Sequence, residues 1–228
     1  MAFVKPDTTI KEYQAFIKEI YGLPNDRYFN LQDMIVNMER FATRGLKGIR
    51  KENKEKTKIN LLISFSWFIS ITNQLHIDIE EELWKRFPYV CFYCASCPCV
   101  CGKDKGKPLP KENIDLNKKP KTLSQFQAMF EEIYPSRHRT LEHSGVHFIE
   151  EIGEFSEALL RYRSNRQKKD FKEVETEAAD LASCCMEVFS SLGKDMAKEL
   201  SKLFSNNCHI CHKIPCECNF KNITDFES

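Results

Sequence analysis

The sequence predicts an all-α protein made of two tandem four-helix repeats, each ending in a small four-cysteine zinc knuckle. Apolar residues recur at helical spacing through both halves, and strand-like alternation is absent. Blocks of similar sequence recur in the same order, the signature of an internal duplication. The pattern C-x2-C-x4-C-x-C occurs twice, once near the end of each half.

The first repeat is expected over residues 8–102. Its first helix covers residues 8–21, where Tyr13, Phe16, Ile17 and Ile20 lie on one face, and Gly22, Leu23 and Pro24 are expected to end it. Further helices are expected over 31–51, 56–75 and 78–86. The apolar run at 59–71 is too short to span a bilayer and contains Asn60 and three serines, so it reads as a buried core helix. Residues 103–121 are rich in lysine and proline and read as a linker. The second repeat, 122–220, starts its helices near Leu123, Arg139, Asp170 and Asp195, with Asp78 and Asp195 as matched N-caps.

The duplication is visible in three blocks. Residues 12–21 (EYQAFIKEIY) return as 125–134 (QFQAMFEEIY), and 75–87 (LHIDIEEELWKRF) return as 192–204 (LGKDMAKELSKLF). The cysteine block Cys91, Cys94, Cys99 and Cys101 returns as Cys208, Cys211, Cys216 and Cys218, with Pro98 and Pro215 equivalent. Cys97 has no counterpart, since its position aligns with Ile214, and this singles out the four ligands of the first knuckle. Four thiolates suit tetrahedral Zn²⁺ in a closed, structural site, giving two structural zinc ions per chain, with iron–sulfur binding or redox chemistry as the alternative. Cys184 and Cys185 lie on an apolar helix and read as small core residues.

Thirty-four basic and 33 acidic residues nearly cancel, so charge makes no case for nucleic acid or membrane partners. The N-terminal residues show no apolar signal-peptide core, and eleven cysteines then point to a reducing, cytoplasmic setting.

Acidic residues concentrate on a helical hairpin at 146–189. Glu151 and Glu154 are i,i+3 neighbours on its first arm, as are Glu177 and Asp180 on its second, with a polar turn at 164–169. Folded antiparallel, the arms bring four carboxylates to one height, an arrangement that like-charge repulsion disfavours without a multivalent cation. Hard oxygen ligands with open positions suit Mg²⁺ and a phosphate co-ligand. The first copy is an internal contrast: Asn37, Arg40, Asn60 and Ile63 stand opposite the four carboxylates, so a charged site is expected in the second copy alone.

The pattern E-E-x-x-E, a turn, then E-x-x-D resembles the MazG-like nucleotide pyrophosphohydrolases of the all-α NTP pyrophosphatase superfamily. The resemblance covers about residues 123–204, and more weakly 8–87. It implies a pseudo-dimer bundle of two MazG-like repeats, the second catalytic and the first degenerate, open to further homodimerisation. It also implies hydrolysis of a nucleoside triphosphate to the monophosphate and pyrophosphate. Glu151, Glu154, Glu177 and Asp180 would hold Mg²⁺ (or Mn²⁺), and Glu150 would orient the attacking water or stand as a solvated neighbour. Lys202, Arg161 and Lys168 are candidates for phosphate contact. A catalytically silent nucleotide-sensing or protein-interaction module of the same fold, or a zinc-dependent nucleic-acid adaptor, remains the alternative. No P-loop pattern is present.

Overall fold

A computed structural model describes residues 3–102, 108–110, 114–224 and 226. The described residues are helical, without a strand: α1 (Ile10–Tyr28), α2 (Leu31–Arg50), α3 (Lys54–Gln74), α4 (Ile79–Arg86), α5 (Leu123–Ile133), α6 (Leu141–Asn165), α7 (Lys168–Ser191), α8 (Met196–Phe204) and α9 (Phe220–Thr224). None of these is long and apolar enough to cross a membrane.

Local chemistry sets several of the boundaries. Thr9 and Glu12 cap α1 reciprocally, Thr9 Oγ1 accepting from the Glu12 N–H at 3.0 Å and Glu12 Oε2 from the Thr9 N–H at 2.8 Å. Asn30 and Asp33 repeat the device on α2. The expected end of α1 at residues 22–24 differs from the observed one, because the helix continues to Tyr28 with Pro24 inside it. Proline lacks the N–H that would bond to the carbonyl of Ile20. That carbonyl instead accepts the backbone N–H of Cys216 at 2.8 Å, so the break is repaired by the second knuckle.

The chain divides into two compact units that cut across the repeats expected at 8–102 and 122–220. Unit 1 joins residues 1–78 to 196–228, and unit 2 is the uninterrupted stretch 79–195. Helix four and its knuckle are thus exchanged: α8 packs on α3, and α4 packs on α7. Part of the linker expected at 103–121 lies outside the described residues (103–107 and 111–113). Of the rest, residues 116–118 form a 3-10 turn, Pro120 is buried, and Lys119 pairs with Glu81.

Within unit 1, α2 and α3 form an antiparallel hairpin whose helices approach closely at two glycines. A Cβ on Gly48 would lie 2.6 Å from Thr57 Oγ1 and 2.9 Å from the Thr57 backbone nitrogen. The backbone cannot yield cheaply, so Gly48→Ala is expected to destabilise the protein by roughly 2 kcal/mol. Gly153→Ala on α6, where a Cβ meets nothing within 4 Å, should be neutral or stabilising by up to about 1 kcal/mol. Urea denaturation of the two variants measures both outcomes.

Within unit 2, α6 and α7 form the corresponding hairpin. Their connection is shorter than the turn expected at 164–169: only Arg166, in the left-handed region at φ 53°, and Gln167 separate the helices. Phe126, Phe130, Phe155 and Phe189 are fully buried in this unit, and the inner face of α7 adds Ala178, Ala179 and Ala182. These small residues leave room for polar side chains near the middle of the hairpin.

The exchanged helices are tied in by ion networks of matching form. Glu82 on α4 is buried and accepts from Lys85 at 2.6 Å and Lys172 of α7 at 3.1 Å. Its counterpart on α8, Glu199, is buried and accepts from Lys202 at 2.7 Å and Lys58 of α3 at 2.9 Å. Lys172 and Lys58 are not aligned positions. Lys172 aligns with Glu55 and Lys58 with Glu175, so each hairpin carries the same i,i+3 pair with its polarity reversed.

Candidate metal centres

Each knuckle brings four sulfurs together. The Sγ atoms of Cys91, Cys94, Cys99 and Cys101 lie within 4.8 Å of one another, as do those of Cys208, Cys211, Cys216 and Cys218. The close pairs are 3.7 Å (Cys91–Cys101), 3.9 Å (Cys94–Cys99), 3.7 Å (Cys208–Cys218) and 3.8 Å (Cys211–Cys216). A tetrahedral Zn²⁺ with sulfur ligands at about 2.3 Å requires S···S separations of about 3.8 Å. All eleven cysteines are free thiols, and Cys97 is exposed and outside the cluster. Both groups could therefore hold structural zinc.

Several bonds around the two knuckles fall at aligned positions. Cys91 N–H bonds to Ser96 O at 3.0 Å, and Cys208 N–H to Lys213 O at 3.3 Å. Backbone amides donate to sulfur from Cys101 to Cys99 at 3.4 Å and from Cys218 to Cys216 at 3.3 Å. Such donors stabilise thiolate and orient it toward an ion. Cys99 N–H bonds to Ile133 O at 2.8 Å at the end of α5, the aligned counterpart of the Cys216–Ile20 bond. The aligned tyrosines Tyr134 and Tyr21 hydrogen-bond the first cysteines, Cys91 and Cys208, and burial pushes both phenols far above their ordinary value. Each knuckle thus latches onto the first helix of the other sequence repeat.

The predicted acidic site lies wholly in unit 2. Oxygens of Glu151 on α6 and of Glu177 and Asp180 on α7 lie within 4.8 Å of one another. Glu154 is exposed and stands outside this close group, although it acts electrostatically on Glu177. Glu151 Oε2 and Glu177 Oε2 are buried without a hydrogen-bond partner. Burial, followed by the charges of Asp180, Glu154 and Glu151, pushes the Glu177 carboxyl up to about 7. Burial also raises Asp180 and Glu154, with Arg86 opposing the shift at Asp180. Glu150 is exposed.

Arg86, absent from the sequence-based set, completes the site. Its Nε donates to Asp180 Oδ1 at 2.9 Å and its Nη2 to Oδ2 at 2.8 Å, a bidentate pair. The guanidinium carbon lies 3.4 Å from the centroid of the Phe92 ring, so Arg86 is held from both sides. The signal for it is an aligned exchange: Arg86 and Asp180 become Leu203 and Ile63 in the other copy, both apolar.

Two of the other predicted cations, Arg161 and Lys168, lie along the hairpin helices away from the carboxylates. Arg161 is exposed and paired with Glu157 at 2.9 Å and Glu173 at 2.5 Å, roughly 10 Å along α6 from Glu154 at 1.5 Å per residue. Lys168 opens α7, some 13 Å before Glu177 by the same measure. Lys202 belongs to unit 1 and makes the Glu199 ion pair that Lys85 makes with Glu82.

A third group borders the carboxylates. His147 Nε2 is 3.1 Å from Glu151 Oε1, and His147 Nδ1 is 3.5 Å from Cys184 Sγ. His147 was not singled out in the sequence, and Cys184 was read as core. The signal lay in spacing, because His147 is i,i+4 to Glu151 and Cys184 is i,i+4 to Asp180.

No protein-family model matches this sequence, and neither curated proteins nor solved structures provide a match.

Proposed function

We propose that unit 2 is a Mg²⁺- or Mn²⁺-dependent nucleoside triphosphate pyrophosphohydrolase of MazG-like type, converting (d)NTP to (d)NMP and pyrophosphate. The observation that carries this reading is the convergence of Glu151, Glu177 and Asp180 with two buried, unpartnered carboxylate oxygens among them. Such a group is costly unless a cation or protons compensate it. Glu151, Glu177 and Asp180 would hold the divalent ion, with Glu154 completing the set. Bound there, the ion would neutralise phosphate charge and lower the pKa of the attacking water. Glu150, exposed and i,i+4 to Glu154, takes the water-orienting role. Arg86 is the cation best placed to receive phosphate oxygens, since its planar fork already faces the carboxylates.

One observation favours a second reading. The bidentate Arg86 pair already compensates Asp180, as expected of a nucleotide-sensing or protein-interaction module that keeps the fold without turnover. Pyrophosphate release from a panel of ribo- and deoxyribonucleoside triphosphates with Mg²⁺ or Mn²⁺ separates the two. Turnover lost by at least about 1000-fold in Glu177→Gln supports the enzyme. Nucleotide binding without turnover in the wild type would select the sensing module, and equal activity in Glu177→Gln would remove the site assignment.

A further inference from the structure

We propose that His147, Glu151 and Cys184 form a third transition-metal site in this chain, for a borderline cation such as Zn²⁺ or Co²⁺, next to the carboxylate site and sharing Glu151 with it. One ligand atom from each of the three residues lies within 4.8 Å of the others. The His147 ring already touches both partners, Nδ1 at 3.5 Å from Cys184 Sγ and Nε2 at 3.1 Å from Glu151 Oε1, so a small shift brings one nitrogen, the sulfur and an oxygen to the spacings of a small tetrahedral ion. Nitrogen and oxygen ligands at about 2.1 Å and sulfur at about 2.3 Å give N···S of about 3.6 Å and N···O of about 3.4 Å. The two contacts use different ring nitrogens, so ligation selects one of them and the ring turns to present it. Three protein ligands leave a fourth position for water.

The donor set determines the class of cation. Thiolate and imidazole favour Zn²⁺ or Co²⁺ over Mg²⁺, whereas Glu177 and Asp180 next door offer only hard oxygen. A linked Cys–His–Glu series also resembles a nucleophile with its base. However, Cys184 is only 4% exposed, which closes its sulfur to an incoming substrate while leaving it reachable by an ion. The entry side is His147, whose side chain is 43% exposed. Glu151 Oε2, buried and without a partner, supplies the unmet acceptor. The other copy has no such set: Asp33, Asn37 and Trp67 occupy the aligned positions. The cluster is therefore not part of what the repeated helices need in order to fold.

The test counts metal and uses no nucleotide, so it stands or falls separately from hydrolysis. Full-length protein is saturated with Zn²⁺, desalted, and its metal content measured beside its helical circular dichroism. The wild type should retain about three zinc ions per chain. Cys184→Ser and His147→Gln should each retain about two while keeping their helical signal. Cys185→Ser, at the neighbouring buried thiol, and Glu177→Gln should keep three, the latter showing that the extra ion is not held among the carboxylates. If Cys184→Ser fails to fold, His147→Gln at the more exposed ligand carries the comparison. A wild type holding two ions, or a third ion that survives both ligand substitutions, would overturn the proposal.

Discussion

For protein loaded with zinc at both knuckles, removal of the metal with a strong chelator is expected to cost on the order of 5 kcal/mol per site and to lower the melting temperature sharply. Metal binding at structural zinc sites is folding free energy, roughly 10 kcal/mol or more in isolated peptides. Part of that is replaced here by a helical core that does not depend on the ion. What is lost is specific. Without an ion, four sulfurs within 4.8 Å of one another lack the centre that holds them, and the backbone bonds from Cys99 to Ile133 and from Cys216 to Ile20 lose their anchor. The ends of α1 and α5 then fray, and the rings of Phe204 and Phe87 lose their edge-on tyrosines, Tyr21 and Tyr134. Thermal denaturation by circular dichroism, with and without chelator, measures the effect. Cys216→Ser should reproduce half of it, whereas Cys97→Ser, outside the cluster, should leave the melting temperature unchanged.

Arg86→Ala is expected to destabilise the metal-free protein by roughly 3 kcal/mol, because removing one member of a largely buried ion pair leaves its partner uncompensated. The Asp180 side chain is 15% exposed and stands among Glu151 and Glu177, so it has little water to fall back on. The Phe92 ring loses its stacked cation as well. Divalent cation added to the variant should recover much of the loss, since charge compensation is what was removed. The pH dependence has a definite sign. Glu177 ionises near 4.5 in the unfolded chain and about 7 in the folded one, so folding takes up a proton between those values. Stability from this group is present at low pH and declines as pH rises through about 7, and saturating divalent cation should flatten that decline. Urea midpoints across this range, with and without Mg²⁺, test both statements.

The eight expected helices were legible because apolar spacing, or for α3 a long apolar run, marks them and because the set of four is written twice; α9 has no copy and went unread. The run past Pro24 was not: local rules stop a helix there, and what carries it on is a bond to Cys216, nearly two hundred residues away in the chain. The exchange of helix four was equally hidden. Residues 79–86 and 196–204 share the buried glutamate and its lysine, so either helix reads as fit for either hairpin. At the acidic site, helix spacing identified both arms and three carboxylates that converge. It placed Glu154 among them as well, although a rotation of about 300° from Glu151 leaves that side chain at the exposed edge. Arg86, His147 and Cys184 went unread for a common reason. Each meets a partner from another segment of the chain, Arg86 with Asp180 and His147 with Cys184, and i,i+4 spacing to a carboxylate marks a helix face without saying which other face it meets.

The interrupted composition of unit 1 has a consequence for synthesis. Unit 2 is one continuous stretch, so the ribosome delivers it whole while residues 1–78 still lack the helix and knuckle supplied by 196–228. At ordinary elongation rates that interval is on the order of 10 s. Throughout it, the part of α3 that α8 later covers has no permanent cover. The N-terminal helices are therefore made first and finished last. Nascent chains arrested before residue 196 should depend on chaperones more than chains in which residues 196–228 have emerged.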